Sequence, residues 1–123
     1  MLLQQRAHTK YHSPALWTNT CCSHPRPGED LGDAAKRRLR EEMGMEVALE
    51  HKTSFVYKTE FDNNLTEHEF DHVYIGISDQ EPVINKEEVN AYKWLSVDQV
   101  KTGIELKPEE FTSWFRIAME KLF

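Results

Sequence analysis

Cysteine is scarce in this sequence: only Cys21 and Cys22 occur, and they are adjacent. Neighbouring cysteines rarely pair, so no disulfide framework is predicted and a reducing, cytoplasmic compartment is expected. Long apolar runs are absent as well, since no stretch approaches the roughly 20 residues that a membrane span needs. The first residues, MLLQQR, lack the apolar core of a signal peptide. We therefore expect no membrane partner.

Positive charge is also in short supply, because 15 Lys and Arg face 21 Asp and Glu, giving a formal net charge of −6. Such a balance argues against non-specific binding of nucleic acid, although local charge could still hold an anionic substrate. Internal repeats, low-complexity tracts and Pro/Ser/Gly-rich linkers are missing too. A chain of 123 residues is long enough for one domain, so residues 1–123 are predicted to form a single unit.

One amphipathic helix organises the rest of the sequence. Four apolar residues recur there at helical spacing: Leu31, Ala35, Leu39 and Met43. Gly44 provides a C-terminal stop. Glu41 and Glu42 fall in the last turn, where carboxylates oppose the helix dipole, and this conflict predicts a cation at that end.

Short alternating runs around this helix predict strands at residues 2–5, 47–49, 55–61, 69–77 and 91–95, with a hairpin turn at Asn63-Asn64. Ser96 caps a short helix that reaches Val100, and Pro108 opens a final helix. That helix carries a broad apolar face: Phe111, Trp114, Phe115 and Ala118. The element order predicts an α/β or α+β sandwich with helices on a mixed sheet.

Three clusters could carry chemistry. In the first, the Cys22 thiol lies two residues from the imidazole of His24 before a helix N-terminus, which favours a lowered thiol pKa; the alternative is a small buried hydrophobe. In the second, Glu67 and Glu69 share one face of a strand, as a divalent cation requires, with a solvated charged face as the alternative. The third cluster lies on the central helix: Arg37, Arg38, Arg40, Glu41 and Glu42. It forms either surface ion pairs or a cation site flanked by arginines that clamp phosphate oxygens.

The helix cluster resembles the Nudix box, G-x5-E-x7-R-E-U-x-E-E-x-G-U, in which U is a bulky aliphatic residue. Seven box positions are in register: Glu29, Arg37, Leu39, Glu41, Glu42, Gly44 and Met45. Ser23 replaces the first glycine, and Arg38 replaces the glutamate after the arginine. Nudix hydrolases use the full acidic set to hold metals that activate water, so the second change disfavours a pyrophosphohydrolase.

The string WTNTCCSHP, the altered box and EHEFD together resemble type I isopentenyl-diphosphate isomerases, over nearly the whole chain. The resemblance implies a Nudix-like mixed sheet between helices. It also implies interconversion of isopentenyl and dimethylallyl diphosphate by acid/base groups on opposite faces of the carbon skeleton. By motif, these groups are Cys22 and Glu69, Tyr57 assists the glutamate, and Trp114 faces the carbocation.

The same resemblance implies two metals and a diphosphate site. Metal ligands would be His24, Glu67 and Glu69 for one divalent ion (Mg²⁺, Mn²⁺ or Zn²⁺), and Glu42 for a Mg²⁺ shared with the diphosphate. The diphosphate would be contacted by Arg6, Lys10 and Arg38. In the family, a segment before the first strand adds two ligand histidines and a lysine, so we expect a chain shortened at its N-terminus. An uncovered sheet edge would then permit a homodimer. The alternatives are a Nudix pyrophosphohydrolase and a non-catalytic diphosphate-binding remnant.

Overall fold

The computed structural model describes residues 1–10, 13–22, 24–60 and 66–123, with the backbone alone for residues 57–60 and 66–69. Its central sheet is antiparallel and contains β1 (Leu2–Arg6), β2 (Trp17–Thr18) and β5 (Val89–Trp94). β1 lies in the middle, where Gln4 pairs with Thr18 of β2 and with Tyr92 of β5. The strands predicted at residues 2–5 and 91–95 are confirmed.

β3 (Glu50–Glu60) and β4 (Thr66–Ile75) form a separate antiparallel hairpin. They confirm the strands predicted at residues 55–61 and 69–77, although both begin earlier and the second ends at Ile75. Tyr57 lies opposite Glu69 in this register, and Glu67 occupies the next position on the same face of β4. The predicted turn at Asn63-Asn64 lies outside the described residues.

The predicted central helix is α1 (Leu31–Met43). Asp30 caps its N-terminus by accepting hydrogen bonds from backbone N–H groups of the first turn. Gly44 ends it in the left-handed conformation, with a φ of 62°, and donates its N–H to the Arg40 carbonyl at 3.0 Å. A Cβ at Gly44 would also lie 2.7 Å from the Val83 carbonyl oxygen, so both conformation and space require glycine.

The helix predicted after Ser96 is α2 (Val97–Leu106), which is longer than expected. Its predicted serine cap is confirmed as a capping box, in which Ser96 and Gln99 each accept a backbone N–H of the other, at 3.1 and 2.9 Å. Within the described ranges, none of the helices has the length and apolar character needed to cross a bilayer.

The final helix, α3 (Ser113–Leu122), starts later than predicted. Pro108 opens only a 3₁₀ turn, because the next residues turn away to pair with β2. Phe111 is extended and forms a parallel bridge with Trp17, whose carbonyl accepts the Thr112 N–H at 3.0 Å. The buried hydroxyls of Thr112 and Thr18 also share a hydrogen bond of 2.8 Å. A tertiary pairing therefore overrides the local helical pattern.

The strand predicted at residues 47–49 is wrong, because the structure assigns no regular element there. Instead this segment packs closely over Gly76. A Cβ at Gly76 would lie 2.7 Å from both the Ala48 carbonyl oxygen and the Val47 side chain. Val47 and Leu49 are partly buried against the core. Their alternation therefore reflects packing rather than pairing in a ladder.

The core lies on both faces of β1. Leu3 joins one buried cluster with hairpin and C-terminal residues: Phe55, Val100, Phe111, Trp114, Phe115 and Met119. Its neighbour Leu2 points to the opposite face and packs with Leu39, Met43, Met45 and Val89. The sheet is thus covered by α1 on one side and by α2 and α3 on the other, which confirms the predicted sandwich. In α1, Ala34 is buried rather than Ala35, and Leu31 is exposed.

Candidate active site

A cleft of about 1280 Å³ opens between the central sheet, α1, α3 and the hairpin. Seven of the predicted site residues line it: Arg6, Lys10, Cys22, His24, Arg38, Glu42 and Trp114. They come from β1, the two loops that flank β2, α1 and α3, so the fold brings distant parts of the sequence together. Phe70 and His72 of the hairpin also line the cleft. The side chains of Tyr57, Glu67 and Glu69 lie outside the described part of the structure.

The Cys22 thiol is held between two polar partners on the cleft wall. The indole Nε1–H of Trp114 donates to its sulfur at 3.1 Å, and the thiol donates to Asn19 Oδ1 at 3.3 Å. Trp114 is buried and belongs to the core cluster around Leu3. The sulfur is therefore held against a residue of the buried core.

Burial raises the pKa of the Cys22 thiol from its ordinary 9.0 to about 11, although the hydrogen bonds with Asn19 and Trp114 act to lower it. The lowered pKa expected from the nearby imidazole is therefore wrong, because desolvation of the sulfur outweighs its polar neighbours. The pKa of Cys21 is also raised, mainly by burial and then by the charge of Glu42. Both cysteines are thus neutral thiols at neutral pH.

We expect Cys22 to resist alkylation in the folded protein. The thiolate is the reacting species, so a pKa near 11 should slow modification by iodoacetamide at about pH 8 roughly 100-fold relative to the urea-unfolded chain. The rate should rise about tenfold per pH unit above pH 8 and level off only above about pH 11, because the thiolate fraction grows in that way below the pKa. Mass spectrometry of the Cys21→Ser variant would follow this one thiol. Equal rates in the folded and unfolded chains would contradict the assignment.

Glu42 is a buried carboxylate, 5% exposed, in the last turn of α1. Its Oε1 accepts hydrogen bonds from Gln4 Nε2 at 3.0 Å and from the Cys21 thiol at 3.5 Å, and its Oε2 accepts one from Arg38. The Arg38 guanidinium is therefore one cation at this helix end, where the sequence predicts a cation. A carboxylate has about four acceptor positions, so one remains for a further ligand.

A second arginine of α1 plays a structural part. Arg37 donates two hydrogen bonds to Glu29, at 2.8 and 3.0 Å, and its Nη1 donates to both oxygens of Glu41, at 2.8 and 3.4 Å. The hydrogen bond from Arg37 lowers the pKa of Glu29 to about 2. These three residues tie the loop before α1 to the helix, so this part of the predicted arginine cluster forms ion pairs.

The three predicted phosphate-binding cations each have a distinct environment. The Arg6 guanidinium lies over the Trp114 ring, 5.2 Å from its centroid. Lys10 forms an ion pair with Glu88, and Arg38 Nη2 lies 3.6 Å from the same carboxylate. Partial burial acts to lower the pKa of Arg38, but the charge of Glu42 keeps it above its ordinary value. All three cations therefore lie next to π electrons or carboxylates.

Three residues of this site are not predicted from the sequence: Gln4, Asn19 and Glu88. Gln4 lies in the segment MLLQQR and Asn19 in WTNTCCSHP. Their neighbours in the sequence do not indicate that Gln4 forms a hydrogen bond with Glu42, or Asn19 with Cys22. Glu88 is the more distant case, since 78 positions separate it from Lys10. Only the pairing of β1 with β5 brings those two side chains together.

The arrangement of possible metal ligands is only partly described. His24 is exposed at the cleft. Among the residues with described side chains, no three His, Cys, Asp or Glu come together as a metal cluster. Glu67 and Glu69, which would complete the predicted set, belong to the hairpin part given as backbone alone. The predicted ligand set around His24 therefore stays a prediction.

The sequence of this chain is similar to those of known proteins. A family model described as the NUDIX domain covers residues 1–115. The isopentenyl-diphosphate Delta-isomerase of Pectobacterium atrosepticum is 48% identical over 122 residues, covering 99% of this chain and 68% of that protein. Isopentenyl-diphosphate Delta-isomerase 2 of Photorhabdus laumondii is 52% identical over 116 residues, covering 94% and 66%. The chain belongs to the isopentenyl-diphosphate Delta-isomerase family. The resemblance found in the sequence is confirmed, and the chain spans about two thirds of the length of these relatives.

Solved structures support the Nudix-like fold of this isomerase-family chain. A Deinococcus radiodurans protein superposes with a TM-score of 0.82 at 20% identity, covering 99% of this chain and 74% of that one. A MutT NUDIX hydrolase from Burkholderia pseudomallei gives 0.70 at 21% identity, with coverages of 99% and 87%. Identities this low establish shared architecture alone. The predicted α+β Nudix-like fold is thereby confirmed.

Proposed function

We propose that this chain interconverts isopentenyl diphosphate and dimethylallyl diphosphate by two proton transfers in this cleft. The observation that carries the proposal is the Cys22 thiol, held neutral against the Trp114 indole on a wall that also presents Arg6, Lys10 and Arg38. A proton-holding group and a cationic patch on one cleft suit a neutral alkene with an anionic tail.

Cys22 and Glu69 divide the proton transfers between them. One adds a proton to the terminal alkene carbon, and the other removes a proton from the carbon next to the resulting cation, so the double bond moves and no net charge changes. Since the reaction is reversible, each group gives its proton in one direction and receives it in the other. Tyr57 lies directly opposite Glu69 across the hairpin, which supports its assisting role.

Trp114 stabilises the positive charge that develops on the tertiary carbon. Its indole donates to the Cys22 sulfur, so the ring and the thiol belong to the same wall. The Arg6 guanidinium lies 5.2 Å from the centroid of this ring, and this contact supports the proposal because a cation already interacts with the same π system. Burial of the indole strengthens such an interaction, since water screens it less.

Arg6, Lys10 and Arg38 bind the diphosphate. Arginine contacts phosphate oxygens in bidentate fashion, and lysine acts as a compact point charge. Glu41, Glu42 and Glu88 already pair with Lys10 or Arg38, so little net positive charge remains on these cations. A diphosphate carries more negative charge than that. The imbalance supports a requirement for a divalent cation.

The donor chemistry of Glu42 fits Mg²⁺, which prefers carboxylate and phosphate oxygens. Its carboxylate is buried at the cleft and keeps an open acceptor position, so it would hold the ion beside Arg38. When bound, Mg²⁺ supplies neutralisation of the diphosphate charge. His24, Glu67 and Glu69 would hold a second divalent ion, Mg²⁺, Mn²⁺ or Zn²⁺. Mixed nitrogen and oxygen ligands of this kind suit all three to different degrees.

A single assay tests the proposal against its alternatives. The protein is incubated with isopentenyl diphosphate and Mg²⁺, and both dimethylallyl diphosphate and released phosphate are measured. Isomer without phosphate supports the proposal. Released phosphate would instead identify a pyrophosphohydrolase, and binding without either product would identify a non-catalytic diphosphate-binding protein. Heat-inactivated protein serves as the blank.

A further inference from the structure

Glu88 joins the two cations of the cleft that come from different elements. Its carboxylate accepts a hydrogen bond from Lys10, in the loop after β1, and lies 3.6 Å from Nη2 of Arg38, on α1. Lys10 and Glu88 are both about one quarter to one third exposed, and Arg38 is 23% exposed. Within the described part of the chain, Glu88 alone pairs with both of these side chains.

The backbone around Glu88 is firmly placed. It immediately precedes β5, and its N–H donates to the Asn85 carbonyl at 3.0 Å. Its own carbonyl accepts the Ala7 N–H at 3.2 Å, where the register between β1 and β5 shifts. The Lys10 N–H in turn donates to the Ala7 carbonyl at 3.2 Å. The loop that carries Lys10 therefore folds back onto the residue that holds its side chain.

The charges explain what this contact does. Lys10 and Arg38 lie close together and repel each other, and a free lysine side chain samples many rotamers. An anion between them removes the repulsion and confines both cations before any ligand arrives. Glu88 is suited to this task, because its hydrogen bond from Lys10, followed by the charge of Arg38, lowers its pKa and keeps it ionised. Pre-ordering of this kind reduces the entropy lost when a ligand binds.

We propose that Glu88 is a positioning residue for the diphosphate subsite, which holds Lys10 and Arg38 at one side of the cleft. This inference rests on the proposed function, since Glu88 holds two of the side chains that are proposed there to bind the diphosphate. Glu88 is not itself a ligand of the diphosphate, because a carboxylate repels that anion. It acts through the two cations, and its main effect is on substrate binding rather than on the proton transfers.

The test compares Glu88→Gln, Glu88→Asp and the matched control Glu87→Gln, whose side chain is exposed. Glu88→Gln should raise KM for isopentenyl diphosphate about 10-fold while kcat changes less than about 3-fold. Glu88→Asp keeps the charge and should recover part of the loss, and Glu87→Gln should match the wild type. An unchanged or lower KM in Glu88→Gln would overturn the proposal, since relief of repulsion would then dominate.

Two further measurements keep the inference separate from the isomerase proposal and from simple misfolding. Calorimetric titration with Mg²⁺ and inorganic pyrophosphate should show weaker binding by Glu88→Gln than by Glu87→Gln, even if the wild type proves inactive as an isomerase. Absence of any pyrophosphate binding by the wild type would refute the subsite. In a Lys10→Met background, Glu88→Gln should cost less than in the wild type, because the two residues act together. Full additivity would refute the positioning role.

Discussion

Replacing Cys22 with alanine should reduce isomerase turnover about 1000-fold while the folded structure persists, since a positioned acid/base group contributes on that scale. The reason lies in the site geometry: the thiol holds its proton at neutral pH between Trp114 and Asn19. Turnover is followed by formation of dimethylallyl diphosphate, and circular dichroism reports the fold.

Cys22→Ser is the matched variant for this prediction. A serine hydroxyl can still accept from the Trp114 indole and donate to Asn19, but it gives up its proton far less readily than a thiol. If the sulfur transfers a proton, serine should be nearly as inactive as alanine. Near-wild-type turnover in the serine variant would mean that the hydrogen-bond network alone suffices, and either variant with full activity would exclude proton transfer at this position.

Glu42→Gln should weaken binding of isopentenyl diphosphate about 10- to 100-fold at saturating Mg²⁺, the range seen when metal coordination is disturbed. Glutamine preserves the size of the side chain, but it loses the charge that would hold the ion and that pairs with Arg38. In the presence of a chelator the wild type and the variant should differ much less. Titration calorimetry under both conditions measures the difference.

The control for this prediction is Glu46→Gln, which removes one negative charge from an exposed position just beyond α1. It should bind substrate as the wild type does, with and without Mg²⁺. Equal weakening of Glu42→Gln in both conditions would contradict a metal-bridging role. That result would assign the carboxylate to holding Arg38 and Gln4 in place instead.

The local patterns of the sequence predict much of the fold. The presence of α1, the Gly44 stop and the Ser96 cap depend on neighbouring residues alone, and all three are confirmed. Only half of the predicted apolar stripe is buried, because Leu31 is exposed and Ala34 is buried in place of Ala35.

The secondary structure predicted for residues 47–49 and for Phe111 is wrong for the same physical reason. Their conformations are set by distant partners, Gly76 in one case and Trp17 in the other. Short-range periodicity contains no information about such partners.

The chemistry of the site divides in a similar way. Motifs single out Cys22, Glu42 and Trp114, which the fold gathers on one cleft. The pKa of the Cys22 thiol is predicted in the wrong direction, because burial of the sulfur in the folded protein outweighs its polar neighbours. The catalytic pairing of Cys22 with Glu69 stays a prediction, and so does a homodimer across a sheet edge.

The bridge between Trp17 and Phe111, together with the buried pair Thr18 and Thr112, carries a consequence for protein synthesis. It fixes the loop that bears the sulfur to the segment that bears the indole, although the ribosome makes these parts far apart in time. A nascent chain that has not yet reached Trp114 holds a thiol without its aromatic partner. The contact between the Cys22 sulfur and the Trp114 indole therefore forms only after nearly the whole chain has been synthesised.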